Sequence, residues 1–448
     1  MKKLHKQTRH VPRHARLTHA VFHDWYHSRL LLVLESVLIG FVAGLVVVFF
    51  RYVLGQADRL RVWMYNNLFR TSVLWVVAWA AFLTLLGLFL GWAIKVRPMI
   101  KGSGIPQVKG VLLGRVQMRW MTELPLKIIT DALGLGAGLS LARGGPSLQL
   151  GAYVGSGMIP LFHRSKEEEK ILIVAASSAG LAATFGVPLA SVLFVLEELC
   201  PSFSPLFMAS ALAASMSAEA TAELFLGSEP IFSFAGIVTL PLQNMHWVVL
   251  LGIACALLGD VFKRALYLSM DTYNRFNIPL TFRPLIPLLL SIPLGLCLLD
   301  VLGGGHNLIE AIAGGAYSLR LLLLIFACKL VFTAICHGSG TSGGIFLPLL
   351  ACGALVGAAM GEMLELGGFI SDTQKLNFII LGMAAFFTGV VKAPITAMVL
   401  ILEMSGNFSN MGNLVLVCLS AFVMSELIMS RPVFSVLLER MLSPPKTH

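Results

Sequence analysis

The sequence predicts an all-α protein that crosses a membrane several times and breaks some of its helices at membrane depth. Three observations carry this. Of 448 residues, 57% are hydrophobic and only 12% charged, about half the charged fraction of a soluble domain. Apolar runs recur at 30–50, 72–94, 206–225, 247–262, 321–335 and 414–429, several of them as long as the roughly 20 residues a spanning helix needs. Between 130 and 200, and again between 337 and 404, the runs are cut by Gly, Pro and Ser. Irregular backbone survives at that depth only where protein or an aqueous cavity satisfies its polar groups. Short, tilted or broken helices are expected there, the pattern that marks substrate sites in membrane transporters.

Residues 1–29 come first and form a basic tail, in which Lys2, Lys3, Lys6, Arg9, Arg13, Arg16 and Arg29 face one acid, Asp24. These cations place the N-terminus in the cytoplasm by the positive-inside rule, on a cell membrane read as a prokaryotic inner membrane. The tail histidines (His5, His10, His14, His19, His23 and His27) suit a solvated or lipid-facing basic arm better than a metal site. The net charge of +10 thus belongs to tail and loops and does not signal nucleic acid. The run at 30–50 is too long for a signal-peptide core and is read as a retained helix. A membrane domain follows over 30–442, with halves at about 30–226 and 246–442. A short tail, 443–448, is expected after it, with no cytoplasmic regulatory domain. Cys200, Cys255, Cys297, Cys328, Cys336, Cys352 and Cys418 lie in or beside apolar runs with no C-x-x-C pair. They read as small core residues, not disulfide partners or zinc ligands.

The two halves echo each other. "VPLASVLFVLEEL" from Val187 matches "APITAMVLILEMS" from Ala393, pairing Pro188 with Pro394 and Glu197 with Glu403, 206 positions apart. "GGPSLQLGAYVG" from Gly144 matches "GGIFLPLLACGALVG" from Gly343, pairing Gly151 and Gly155 with Gly353 and Gly357, 202 positions apart. Each half therefore offers a glycine-rich loop, a helix, and a second helix that starts at proline and ends in glutamate. Proline suits a first helical turn, and Gly-x-x-x-Gly lets helices pack closely.

Three glycine loops precede helices: at Gly102, at Arg143 and at Gly338. Helix N-termini carry unsatisfied N–H groups and the positive end of the macrodipole, and glycine admits a ligand close to that backbone. None of the loops holds a carboxylate, so their chemistry favours an anion over a cation.

"GSGIPQ" (102–107), "ARGGPSLQLG" (142–151), "GVPLASVLFVLEE" (186–198) and "GSGTSGGIFLP" (338–348) resemble the signature segments of the CLC chloride channels and proton–chloride exchangers, in the same order. The resemblance runs from about residue 30 to 442. It implies a homodimer whose subunits each hold an anion pathway between two inverted halves. By motif position, the Ser103 hydroxyl beside Gly104 and the N–H groups of Ile345 and Phe346 would hold a central anion. Arg143, Gly144 and Gly145 would form an outer site. A helix-capping role is the alternative for Ser103.

The sequence departs from the family at three places. The family's Gly-Arg-Glu-Gly-Pro reads Ala142-Arg143-Gly144-Gly145-Pro146, so the glutamate that gates the pore and carries protons is missing at Gly144. Phe434, in "RPVFSVLLER", stands where members often have a tyrosine, and it cannot donate a hydrogen bond. Gln107 and Lys109 replace acids often found after "GSGIP". Glu198 matches the inner proton-transfer glutamate of the exchangers, with Glu197 beside it. The alternative places Glu198 at a solvated helix end.

Gly340–Gly344 satisfies G-x-S-x-G, but no positioned base accompanies it. Neither Walker nor Rossmann glycine patterns occur. The chain is therefore read as no enzyme, with no cofactor, nucleotide or nucleic-acid partner. Chloride is the expected substrate, and other halides and nitrate are expected to pass. Without a carboxylate at Gly144 a passive channel or uncoupled permease is favoured. The alternative is a proton-coupled antiporter using Glu198 and an unidentified outer proton carrier.

Overall fold

A computed structural model describes residues 13–68, 72–200, 204–228, 231–232, 234, 240–406 and 410–443, with side chains from residue 29 onward. Among these the regular elements are helices. The first half runs α1 (Arg13–Trp63), α2 (Val73–Val96), α3 (Ile105–Leu112), α4 (Trp120–Gly136), α5 (Gly144–Met158), α6 (Lys166–Phe185), α7 (Pro188–Phe194, continued by the π-turn Val195–Leu199) and α8 (Pro205–Leu226). The second runs α9 (Met245–Arg275), α10 (Leu285–Cys297), α11 (His306–Ala313), α12 (Leu319–Gly338), α13 (Phe346–Leu366), α14 (Asp372–Val391), α15 (Pro394–Ser405) and α16 (Met411–Leu427). A closing helix, α17 (Val433–Leu442), follows. No proline interrupts residues 13–63, so α1 is continuous and the tail boundary expected at 29/30 falls inside it. The rest of the expected tails, residues 1–12 and 444–448, lies outside the described residues.

The apolar runs all became helices; Cys255, Cys336, Cys352 and Cys418 are buried as expected, whereas Cys297 is exposed. The glycine-cut regions behave in two ways. α7 and α15 are short, at 7 and 12 residues, and both begin at proline. By contrast α6, α13 and α14 run unbroken for 20, 21 and 20 residues, although the sequence led one to expect interruption. Their glycines mark contacts instead of breaks. A Cβ on Gly353 would come within 2.4 Å of the Gly382 carbonyl oxygen, and one on Gly151 within 2.0 Å of that of Ala176. Small residues bring α5 onto α6, and α13 onto α14, at backbone distance.

Contacts within one half are repeated in the other. α1, α6 and α8 pack together as α9, α14 and α16 do, while α2 meets α10 and α7 meets α15. Equivalent helices meet where a two-fold axis passes between the halves. The α7–α15 joint fixes its direction. Glu403, at the end of α15, accepts from the N–H groups of Leu189 (3.0 Å) and Ala190 (2.8 Å) at the start of α7. Glu197, in the π-turn that ends α7, accepts from the N–H of Thr396 (2.8 Å) at the start of α15. Each helix caps its partner's N-terminus, so the pair is antiparallel and the halves are inverted. A carboxylate there satisfies orphan donors and the positive end of the dipole together.

Candidate functional site

Backbone hydrogen bonds lock the three glycine loops together. The Gly102 N–H donates to the Thr341 carbonyl (3.2 Å), and the Gly102 carbonyl accepts from the Gly343 N–H (3.0 Å). Ala142 and Gly344 exchange two such bonds, at 2.6 and 2.8 Å. Irregular backbone at membrane depth is thereby satisfied by other irregular backbone, the condition under which it can exist there. Side chains complete the lock. Ser342 Oγ donates to the Ile100 carbonyl (2.7 Å), and the fully buried Lys127 ammonium, from α4, donates to the carbonyls of Ile100 and Gly102 (3.0 Å each). Asp131, one turn on, lies 3.6 Å from that ammonium.

This lock brings the sequence-predicted residues side by side. Ser103 is buried, and its hydroxyl has no protein partner. Gly104 precedes α3 in the left-handed region, and Gly145 lies so close that a Cβ on it would fall 2.3 Å from the Ser103 carbonyl oxygen. Arg143 caps α5, and Ile345 caps α13. Intrahelical bonding begins only at Ser147, donating to Arg143, and at Leu349, donating to Ile345. The N–H groups of Gly144, Gly145 and Phe346 therefore precede the first intrahelical donors. Two helix starts thus face the Ser103 loop with free donors, each carrying a positive partial charge of about half a unit.

Beside these donors stands a cluster of aromatic rings, of which the sequence singled out Phe346 and Phe434 but not Phe185, Phe194 and Phe387. Phe185, the last residue of α6, stacks on Phe346 at 5.2 Å between centroids. Phe346 meets Phe387 (5.0 Å) and Phe194 (6.0 Å), and Phe194 meets Phe434 edge-on at 6.2 Å. All five are buried. The Phe185 ring fills the volume that a side chain at residue 144 would enter. A Cβ on Gly144 would lie 2.6 Å from Phe185 Cε2 and 2.9 Å from Cζ. The Arg143 guanidinium lies over the same ring, 5.9 Å from its centroid. Phe185 ends an alanine-rich helix and reads in sequence as ordinary core. Only its Phe-Gly-Val-Pro setting, just before the α7 repeat, hinted at the site.

On the Phe434 side, Glu198 is 5% exposed, and its Oε1 accepts a hydrogen bond from Lys109 Nζ at 2.8 Å. The solvated helix end considered for Glu198 is thus not what surrounds it. Lys109 also donates to Ser435 Oγ (3.1 Å), next to Phe434. Glu197 is not part of this pair; its carboxylate serves the α15 cap.

Two inverted halves, interlocked at their glycine loops, make this a multi-pass membrane protein of the inverted-repeat class. Comparison with known proteins narrows the class. The profile described as "voltage gated chloride channel" matches residues 86–426, and the chain belongs to that family. The H(+)/Cl(−) exchange transporter ClcA of Vibrio cholerae is 32% identical over 427 residues, covering 92% of this chain and 90% of that one. ClcA of Citrobacter koseri is 32% identical over 428 residues, covering 92% and 89%. Among solved structures, a slow cyanobacterial Cl−/H+ antiporter superposes with a TM-score of 0.87 at 29% identity, covering 92% of this chain and 98% of its own. A CLC-type fluoride/proton antiporter shares the fold, with a TM-score of 0.76 at 24% identity, covering 90% and 96%.

Proposed function

We propose that this protein carries chloride across a cell membrane by passive, uncoupled permeation, as a homodimer with its N-terminus in the cytoplasm. The Ser103 hydroxyl beside Gly104, with the N–H groups of Ile345 and Phe346, holds the central anion. The N–H groups of Arg143, Gly144 and Gly145 hold the outer one, and Phe434 narrows the inner end without donating a hydrogen bond. Partial charges at helix starts replace hydration without a full buried cation, so other halides and nitrate pass as well.

The observation that carries this reading is the Phe185 ring against Gly144. A glutamate there would compete with the anion when ionised and withdraw when protonated. A phenyl ring does neither, since it bears no charge and does not titrate. Phe185 therefore acts as an apolar constriction that opens by wetting, independently of proton transfer. The identity of the relatives, named as exchange transporters, together with Glu198, supports the second reading, a proton-coupled antiporter with another outer proton carrier.

Reconstituted liposomes separate the two. Chloride efflux and internal pH are recorded together under an imposed chloride gradient, with voltage clamped away from proton equilibrium. The expected result is chloride movement without ATP or sodium and without uphill proton transport. Sustained uphill proton movement by the unmodified protein would overturn the passive mechanism.

A further inference from the structure

The Gly102–Gly104 loop has a counterpart in the second half that faces a different space. Lys127 in α4 is matched 202 positions on by Lys329 in α12. The fully buried Lys329 ammonium donates to the carbonyls of Val301 (2.9 Å) and Gly303 (2.7 Å), as Lys127 does to Ile100 and Gly102. Gly102 and Gly303 share a φ of +66° and +67°, and Gly104 and Gly305 have φ of +88° and +105°. Each loop opens an eight-residue helix, α3 or α11. The same device for presenting helix-start N–H groups is therefore built twice. In the second copy Gly304 stands where Ser103 stands in the first.

What replaces the lost hydroxyl is visible in the space the second loop faces. A cavity of about 290 Å³ is lined by Gly303, Gly304, Gly305 and His306 together with Arg61 and Arg143. Arg61 is 6% exposed, and its Nε has no hydrogen-bond partner; Arg143 Nε and His306 Nδ1 are also buried and unpartnered. The guanidinium packs directly on the loop, with Arg61 Nη2 3.0 Å from where a Cβ on Gly303 would be. Two carboxylates also line the cavity, and each has one oxygen engaged. Asp58 lies 2.7 Å from Arg61 Nη1, and Asp300 accepts from the Tyr317 hydroxyl at 2.6 Å. Among the buried side-chain atoms lining the cavity, those without a partner are Arg61 Nε, Arg143 Nε and His306 Nδ1, and the first N–H groups of α11 precede its intrahelical bonding, which starts at Ile309. Buried donors without acceptors are rare in native proteins and ask for a ligand.

We propose that this cavity binds a small inorganic anion at a site separate from the Ser103 and Gly144 sites, with Arg61 and the Gly304–His306 backbone as its principal ligands. The proposal rests on reading the Gly102–Gly104 loop as an anion site. At about 290 Å³ the space holds a halide with several waters, each of which takes about 30 Å³, or a tetrahedral oxyanion. Its place beside Arg143 makes it a station where an anion is collected next to the outer site.

Bromide is the probe. Anomalous diffraction from crystals of the full chain grown in bromide should show one peak beside Ser103 and another between Arg61 and His306. R61Q should lose the second peak and keep the first. His306→Ala, which leaves the Arg61 Nη1 bond to the Leu135 carbonyl of α4 (3.0 Å) intact, should weaken the second peak and keeps the test open if R61Q does not fold. Inorganic phosphate should displace bromide from the second position in the unmodified protein. Bromide beside Ser103 with the cavity empty would overturn the proposal, as would a cavity peak that survives R61Q. Absence of bromide beside Ser103 would instead overturn the central-site reading.

Discussion

Lys109 and Glu198, 89 residues apart, meet at 2.8 Å, and the same ammonium reaches Ser435 at 3.1 Å. One cation thereby ties α3, which starts at the Ser103 loop, to the end of α7 and to α17, which carries Phe434. Removing one partner of such a buried pair leaves the other charge stranded, at a typical cost of about 3–5 kcal/mol. Lys109→Met should accordingly lower the unfolding temperature in detergent. Lys109→Met/Glu198→Gln should recover most of the loss, because neither charge is then stranded. Equal instability of the single and double variants would show that the pair is not what holds the helices.

Glu197 and Glu403 occupy equivalent positions in the two halves, so their loss should cost similar amounts. Each accepts backbone hydrogen bonds as a carboxylate, an interaction worth about 1.5–3 kcal/mol. Glu197→Ala and Glu403→Ala should therefore shift thermal unfolding to a similar extent. A large effect from one and none from the other would contradict the symmetric joint.

Selectivity should respond to Ser103. Its hydroxyl is buried and unpartnered, which suits a ligand-binding role better than a cap. Ser103→Pro should move the reversal potential in mixed chloride and nitrate toward nitrate while the protein remains assembled. An unchanged potential would return Ser103 to the role of a loop residue.

Gly144→Glu tests the aromatic gate. A carboxylate beside the outer site should slow flux at neutral pH and release it as the pH falls, but the Phe185 ring stands in its way. The single substitution should therefore give a weak pH dependence. Gly144→Glu/Phe185→Ala should give a strong one, since the side chain then has room. Phe185→Leu alone should raise chloride flux without adding pH dependence. Flux and its pH profile in liposomes, read beside thermal stability, check all three variants. Unaltered flux in folded Phe185→Leu protein would remove Phe185 from the pathway.

The sequence made some of this legible and hid the rest for physical reasons. Pro188 and Pro394 announced helix starts because a missing N–H costs nothing there, and Glu197 and Glu403 announced their ends. The glycine loops were visible because no lipid-facing backbone tolerates them. Residues 346–391 misled, since a glycine at a helix contact and one at a helix break look alike in sequence. Phe185 and Arg61 were hidden more deeply. One is a phenylalanine among buried apolar residues, the other an arginine at the end of a 51-residue helix. Their meaning lies in what faces them across the fold. The Lys127–Lys329 match was present in the sequence at the same offset of 202 and could have been found by extending the repeat upstream.

The reciprocal caps of α7 and α15 have one more consequence. Neither helix start is satisfied by its own half, so each half lacks an acceptor that only the other supplies. Expressed alone, a half would expose a charged glutamate and an uncapped proline-led helix on the same face. Two copies of one half, turned over against each other, would satisfy both at once. The joint is thus self-complementary: one contact, made once in each direction, closes both halves.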